Sequence, residues 1–183
     1  MPNINIALDI ETLSLQPTAA IISIAAKTFH LPQQEEEDNN RGFYKNISMR
    51  SLLKEPQLSI SETTLKWWQE QLQEVIDINF NPYTAVTIQK ALTDLKTFIR
   101  DIRTEYNDIA IWTQGTDFDI PILRHAYHTI LHEKEPWHRH ELRDARTVIR
   151  MSNKNIPYPP KDMQFHNPTH DVEQLIWNIT HIL

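Results

Sequence analysis

The stretch "IALDIETLSL", residues 6–15, places two acidic side chains, Asp9 and Glu11, inside an apolar run. Side chains two residues apart in a β-strand share one face, so both carboxylates point one way while Leu8 and Ile10 point the other way into a core. Two like charges side by side on such a strand repel each other unless a positive group lies between them. The pattern predicts a strand with an acidic face, which is either an ordinary solvent-facing surface or a cation site.

Short isoleucine-rich runs around these acids predict a sheet. The first strand is expected over residues 4–10, the second over residues 20–28, "AIISIAAKT", and the third over residues 43–48, "FYKNIS". The polar segment "LPQQEEEDNNRG", residues 31–42, predicts a hairpin connection with an acidic tip. Another buried strand, "DIAIW", is expected over residues 108–112.

Helical periodicity begins at Ser61. Residues 61–76 predict one capped amphipathic helix whose core stripe consists of Leu65, Trp68, Leu72 and Val75. Three more helices are expected over residues 84–106, 120–131 and 167–183.

The last of these helices has clear start signals, with Asn167 as its N-cap and Pro168 at its first helical position. Strands in meander order come first along the chain, and helices then alternate with further strands. This order predicts an α/β fold, a mixed β-sheet flanked by α-helices, in a single domain over residues 1–183.

The composition limits the class of function. The formal net charge of -6 argues against binding nucleic acid through bulk positive charge. The chain has no cysteine, so thiolate metal sites and disulfides are excluded, and a carboxylate site would favour Mg²⁺ or Mn²⁺. No apolar run reaches the roughly 18 residues needed to span a bilayer, and the N-terminus lacks a signal-peptide pattern, so we expect a cytoplasmic protein without a membrane partner.

Two further segments carry candidate site residues. In "IWTQGTDFDIPIL", residues 111–123, Asp119 lies at the start of a predicted helix, where it either complements the helix dipole or faces a site. Asp117 competes with it as the N-cap. In "HNPTHDVEQL", His166 precedes the last helix and Asp171 falls in its first turn, positions that such residues also occupy without any function.

Taken in order, "LDIETLSL", "GTDFDIPIL" and a histidine five residues before Asp171 resemble the three motifs of the DEDD superfamily of 3′-to-5′ exonucleases, in its histidine-containing DEDDh branch. The resemblance covers nearly the whole chain. A helix like "TTLKWW" and a strand like "LRDARTV" also resemble segments of small phage and bacterial exonucleases and exoribonucleases of this branch. The resemblance implies an RNase H-like sheet.

Two features depart from the family pattern. Many members carry an asparagine before the phenylalanine of the second motif, where this chain has Gln114 and Thr116. His170 also competes with His166, and the spacing typical of the family favours His166. The departures bear on substrate contacts rather than on the acidic residues.

The resemblance implies a metal-dependent 3′-to-5′ exonuclease that hydrolyses single-stranded or 3′-overhanging nucleic acid, RNA or DNA, to nucleoside 5′-monophosphates. It implies that His166 is the general base and that two divalent ions, Mg²⁺ or Mn²⁺, bind to Asp9, Glu11, Asp119 and Asp171. It also implies that the terminal nucleotide is contacted by Thr12, Leu13 and Phe118. Leu13 equally suits a place in the core.

Other residues could contact a nucleic-acid substrate but equally suit an ordinary protein surface or core. Seven basic residues could follow a phosphate backbone or form an ordinary solvated face: Lys134, Arg139, Arg143, Arg146, Arg150, Lys154 and Lys161. Trp67 is a candidate for base stacking, whereas Trp68 fits the core stripe of its helix.

Three rival functions remain open from the sequence. The chain could be an RNase H-like nucleic-acid-binding protein without catalysis, or a metal phosphodiesterase acting on small phosphate esters. A purely structural module would leave the paired acids of the first strand unexplained. The choice between RNA and DNA, processivity, the biological pathway and the formation of a homodimer are not determined by the sequence.

Overall fold

A computed structural model describes residues 4–31, 40–152, 154 and 165–183. Five strands of this part of the chain form one mixed sheet in the order β3-β2-β1-β4-β5. The strands are β1 (Ile4–Thr12), β2 (Ile21–Phe29), β3 (Gly42–Asn46), β4 (Ile109–Thr113) and β5 (Leu142–Asp144). β1, β2 and β3 pair antiparallel, and β4 runs parallel to both β1 and β5. The predicted mixed α/β sheet is confirmed, while most of the expected acidic hairpin tip lies outside the described residues.

Seven α-helices in the described residues cover both faces of the sheet. They are α1 (Met49–Leu52), α2 (Glu62–Gln69), α3 (Gln73–Asn79), α4 (Ile88–Glu105), α5 (Asp119–Ala126), α6 (Ala145–Ser152) and α7 (Pro168–Ile182). None of the described helices is long and apolar enough to cross a membrane.

The two faces of the sheet bury different side chains. On one face the large residues of β1, Ile4, Ile6, Leu8 and Ile10, join the main core with residues of α1 to α5. On the other face Ala7, Ala25 and Ala110 pack with residues of α6 and α7. These small side chains let α7 lie close against β1 and β2. The helix therefore covers the same face of β1 that carries the two acids.

The single helix expected over residues 61–76 is wrong, because the structure has two helices there. α2 ends at Gln69 and α3 begins at Gln73. Leu72 is the N-cap of α3 and is 67% exposed, so it is not part of a core stripe. The indole N–H of Trp68 donates to the Thr12 carbonyl at 2.9 Å, and the break lets Val75 also face the core. Tertiary packing here overrides a helical sequence pattern.

Other element boundaries also differ from the predictions. The helix expected from residue 84 begins only at Ile88, because Thr87 caps it and Val86 pairs with Ile47 beside β3. The helix expected to reach residue 131 continues beyond α5 as a π-helical turn, Tyr127–Leu131. The segment "LRDARTV" is a strand only as far as Asp144, after which α6 begins.

The helix-start predictions have mixed outcomes. Asn167 is the N-cap of α7 and its side chain accepts a hydrogen bond from the Thr169 N–H at 3.2 Å, with Pro168 following as predicted. The N-cap of α5 is Phe118, so the expectation that Asp117 could cap this helix is wrong. Asp117 is instead exposed, and Asp119 is the first helical residue.

Candidate active site

The acidic residues predicted from the sequence converge at one cavity of about 320 Å³. β1 contributes Asp9 and Glu11 on the face opposite its isoleucines, as expected from the two-residue period. The start of α5 contributes Asp119, which is 5% exposed, and the first turn of α7 contributes Asp171. His166, in the turn before α7, completes the set. The structure thus brings together all five residues that the motifs predicted to be catalytic.

Three of these side chains are close enough to share one ion. Ligand atoms of Glu11, His166 and Asp171 all lie within 4.8 Å of one another. His166 Nδ1 lies 3.4 Å from Glu11 Oε1. The carboxylate oxygens suit Mg²⁺ or Mn²⁺, whereas an imidazole nitrogen together with carboxylates suits Zn²⁺. The described residues therefore fit an acidic metal site.

The electrostatics of the cluster favour a positive partner. Burial, together with the charges of Asp119, Glu11 and Asp171, raises the pKa of Asp9 well above its usual value. Burial chiefly, with a contribution from Glu11, raises the pKa of Asp119 to about 7, and the same two causes raise the pKa of Asp171 to about 7. Raised pKa values of this kind show that the ionised carboxylates are poorly solvated and repel one another. A divalent cation bound among them would relieve this repulsion.

A buried amide fixes the backbone of His166, which has a left-handed conformation with φ 62°. The side chain of Asn79, at the end of α3, donates to the His166 carbonyl at 2.8 Å and to the Val75 carbonyl at 3.0 Å. Its oxygen accepts a hydrogen bond from the Ser23 hydroxyl of β2 at 2.7 Å. Asn79 is 0% exposed, so its amide group is shielded from water. No sequence pattern pointed to Asn79.

The imidazole ring of His166 also contacts two tryptophans. Its centroid lies 4.7 Å from that of Trp67 and 6.4 Å from that of Trp68, both in edge-to-face geometry. The hydrogen bond with Glu11 raises the pKa of the His166 imidazole above its usual value. The side chain is nevertheless 42% exposed, so it can change its orientation without disrupting the core.

An apolar cavity of about 420 Å³ adjoins the acidic one and shares Glu11, Phe118 and His166 with it. Its other walls include Thr12, of which only 6% is exposed, and the exposed side chains of Leu15 and Trp67. Two of the three predicted substrate contacts, Thr12 and Phe118, therefore line this cavity.

Leu13 is 0% exposed and belongs to the main core, which matches the alternative place expected for it rather than a contact with the terminal nucleotide. The register of β1 against β2 shifts between Glu11 and Thr12, and the Leu13 N–H then bonds to the Ala20 carbonyl at 2.9 Å. This irregularity turns Leu13 inward, while Leu15 is 75% exposed and lines the apolar cavity. An alternation pattern alone does not reveal such a shift.

Most of the predicted basic surface lies away from the cavity. Of its described members, only Arg146 lines the acidic cavity, and Lys161 lies outside the described residues. Gln114, one of the two departures from the family pattern, also lines it. His170 is not among the residues lining either cavity, which is consistent with the preference for His166.

Comparison with known proteins gives one family and a group of solved structures. The family model of the 3′-5′ exoribonuclease Rv2179c-like domain matches residues 4–183. No curated protein gives a significant match.

The chain is similar in structure to cell-death related nuclease 4 (CRN-4), with 17% identity and a TM-score of 0.63 over 98% of this chain and 62% of that one. It is also similar to E. coli Exonuclease I in complex with a dT13 oligonucleotide, with 13% identity and a TM-score of 0.57 over 98% of this chain and 41% of that one. A zinc-bound form of the E. coli ExoI–ssDNA complex matches with 13% identity and a TM-score of 0.56, over 98% of this chain and 40% of that one. The chain thus spans less than two thirds of the length of these structures, and the likeness shows a shared nuclease fold.

Proposed function

Because this chain belongs to the 3′-5′ exoribonuclease Rv2179c-like domain family, we propose that it releases nucleoside 5′-monophosphates from the 3′ end of single-stranded or 3′-overhanging RNA or DNA. The family match confirms the expectation of a 3′-to-5′ exonuclease domain, and the structures of CRN-4 and Exonuclease I show that the chain shares their fold. The observation that carries the proposal is the convergence of four carboxylates and one histidine, from three separate parts of the chain, on one cavity.

We propose that Asp9, Glu11, Asp119 and Asp171 hold two divalent ions, Mg²⁺ or Mn²⁺. The raised pKa values of three of these acids and the short separations around Glu11 support this assignment. When bound, such ions activate a water molecule and compensate the charge that develops on the phosphate and the leaving oxygen. Carboxylates suit this task because hard divalent cations prefer oxygen ligands.

His166 is the proposed general base. Its ring lies beside the acidic cluster. The hydrogen bond from the Asn79 amide holds the His166 backbone, while the His166 side chain is 42% exposed. If Glu11 turns to a cation, its hydrogen bond with His166 is released and the ring becomes available to accept a proton. The proton then passes from the attacking water to His166, the new P–O bond forms, and the bond from phosphorus to the 3′-oxygen breaks.

The apolar cavity suits the terminal nucleoside. Trp67 offers an exposed aromatic face there, and Phe118 and Leu15 supply apolar walls. Stacking on an aromatic ring tolerates any base, which a nuclease acting on mixed sequences requires. A nucleoside in this cavity has its 5′-phosphate directed toward Glu11 and His166, because both residues line the two cavities.

The proposal is tested with 5′-labelled RNA and DNA oligonucleotides in the presence of Mg²⁺ or Mn²⁺. Wild type should produce a ladder that shortens by one nucleotide at a time, and Asp9→Asn and His166→Ala should abolish it. Matched controls are Asp108→Asn, an exposed acid remote from the cavity, and His170→Ala; both should retain activity.

Intact oligonucleotides with wild type, or full digestion by Asp9→Asn, would contradict the proposed function. A protein that hydrolyses a chromogenic phosphodiester but leaves oligonucleotides intact would be a phosphodiesterase of small esters instead. We also propose that residues 1–183 act as one domain, on the ground that the family match and one sheet extend along the chain. The cytoplasmic location and the homodimer stay predictions.

A further inference from the structure

Arg146 occupies a special position at the acidic cavity. It lies in the first turn of α6, immediately after β5, and faces the loop that follows β4. A Cβ atom at position 115 would lie only 3.1 Å from Arg146 Nη2, so Gly115 leaves the space that the guanidinium occupies. The end of the Arg146 side chain therefore lies against Gly115 at the wall of the cavity, although the residue as a whole is exposed.

Among the described residues, none accepts a hydrogen bond from the Arg146 guanidinium. Its charge lowers the pKa of Asp119, yet within the described residues no acceptor forms a hydrogen bond or an ion pair with it. It is also the one lysine or arginine among the described residues lining this cavity. Five N–H donors in a planar fork are thus available at the site, and their natural complement is a phosphate group.

The two cavities give the substrate a direction. Trp67 and Leu15 line only the apolar cavity, whereas Arg146 and Gln114 line only the acidic cavity. Of the four carboxylates at which cleavage is proposed, Glu11 lines both cavities and the other three line only the acidic one. If the terminal nucleoside lies against Trp67, the rest of the strand leaves the carboxylates on the side of Arg146.

We propose that Arg146 binds the second phosphate from the 3′ end, the one that lies on the 5′ side of the nucleoside whose 3′-oxygen is the leaving group. The inference rests on the proposed exonuclease function and adds a residue that positions the remaining strand. A guanidinium can contact two phosphate oxygens at once, which holds both the distance and the orientation of the strand. The leaving oxygen is then kept near the carboxylates while the bond breaks.

The test uses two dinucleotides that differ only in a 5′-phosphate, written pNpN and NpN, because only pNpN carries the second phosphate. The variants are Arg146→Gln and a matched control, Arg100→Gln, which removes another exposed arginine, one that forms an ion pair with neighbouring Asp101. We expect Arg146→Gln to lower kcat/KM for pNpN by about tenfold to a hundredfold and to leave NpN within about twofold of wild type. Arg100→Gln should change neither value.

Arg146→Lys extends the test, because lysine keeps the charge but lacks the fork. It should restore part of the activity on pNpN. An equal loss on both dinucleotides, or no loss on either, would overturn the proposal, and a melting temperature equal to that of wild type would show that each variant is folded. If wild type cleaves neither dinucleotides nor longer oligonucleotides, the proposed function itself fails and this inference falls with it.

Discussion

At the scale of single residues, the acids that the proposed function requires lower the stability of the metal-free fold when they are ionised. Asp119 and Asp171 have pKa values of about 7 in the folded protein, mainly because they are buried, against about 3.9 in an unfolded chain. Between these two values the folded state holds more protons than the unfolded state. The free energy of unfolding of the metal-free protein therefore falls as the pH rises from about 4 through 7.

Replacing one of these acids should stabilise the metal-free protein while removing activity. We expect Asp119→Asn to raise the melting temperature by several degrees at pH 8 in the presence of a chelator, because a buried charge has been removed and the shape retained. The gain should shrink as the pH is lowered below 7. Thermal unfolding followed by circular dichroism measures it, and a lower melting temperature for Asp119→Asn than for wild type at pH 8 would refute the electrostatic reasoning.

The neighbouring tryptophans should respond in opposite ways to truncation. Trp68 is 3% exposed and hydrogen-bonded, so Trp68→Ala should lower the free energy of unfolding by about 3–5 kcal/mol. Trp67 is 37% exposed, and Trp67→Ala should raise KM for oligonucleotides about tenfold with little loss of stability, because a stacked base is lost. Urea unfolding and steady-state kinetics separate the two effects. Equal stability losses in both variants would count against a stacking role for Trp67.

At the scale of elements, the sequence correctly predicted the features that depend on neighbouring residues in the chain. The two-residue period of β1 correctly separated Asp9 and Glu11 from the isoleucines, and the start signals of α7 were correct at Asn167. Long-range contacts decided the rest. The break between α2 and α3 and the inward turn of Leu13 both depend on neighbours distant in the chain, which periodicity does not report.

Asn79 shows how a distant element can control the site. We expect Asn79→Ala to lower kcat at least tenfold with little change in KM, because the clamp on the His166 carbonyl is lost. The variant should also lose about 1–3 kcal/mol of stability. Ser23→Ala, which leaves both donors of Asn79 in place, should have a smaller effect on kcat.

A core variant separates this effect from simple destabilisation. Ile99→Ala in α4 should lower the free energy of unfolding by about 2–5 kcal/mol, yet retain wild-type kcat at temperatures where it is folded. If Ile99→Ala and Asn79→Ala lower kcat equally under those conditions, Asn79 has no specific role in positioning His166.

At the scale of the whole molecule, the charge distribution predicts weak dependence on salt. The chain has a formal net charge of -6, and Arg146 is the one described basic side chain of the 134–161 region at the acidic cavity. With one or two phosphates neutralised by arginine or lysine, the logarithm of kcat/KM should fall against the logarithm of salt concentration with a slope no steeper than about -2. A slope near -5 would instead indicate a broad basic binding surface.

The resemblance of three ordered motifs was enough to predict the family and the fold, because the acids of three widely separated segments can form one site only if the fold brings those segments together. It was not enough to predict that Leu15, rather than Leu13, lines the apolar cavity. Leu15 reaches that cavity only because the register of β1 is irregular at its end.

The central claim is that four carboxylates from β1, α5 and α7 together hold divalent cations. Anomalous diffraction from crystals soaked in Mn²⁺ tests it most directly. The account predicts manganese peaks in the acidic cavity, coordinated by oxygens of Asp9, Glu11, Asp119 and Asp171. Crystals in which manganese is bound elsewhere, with no anomalous peak in this cavity, would contradict it.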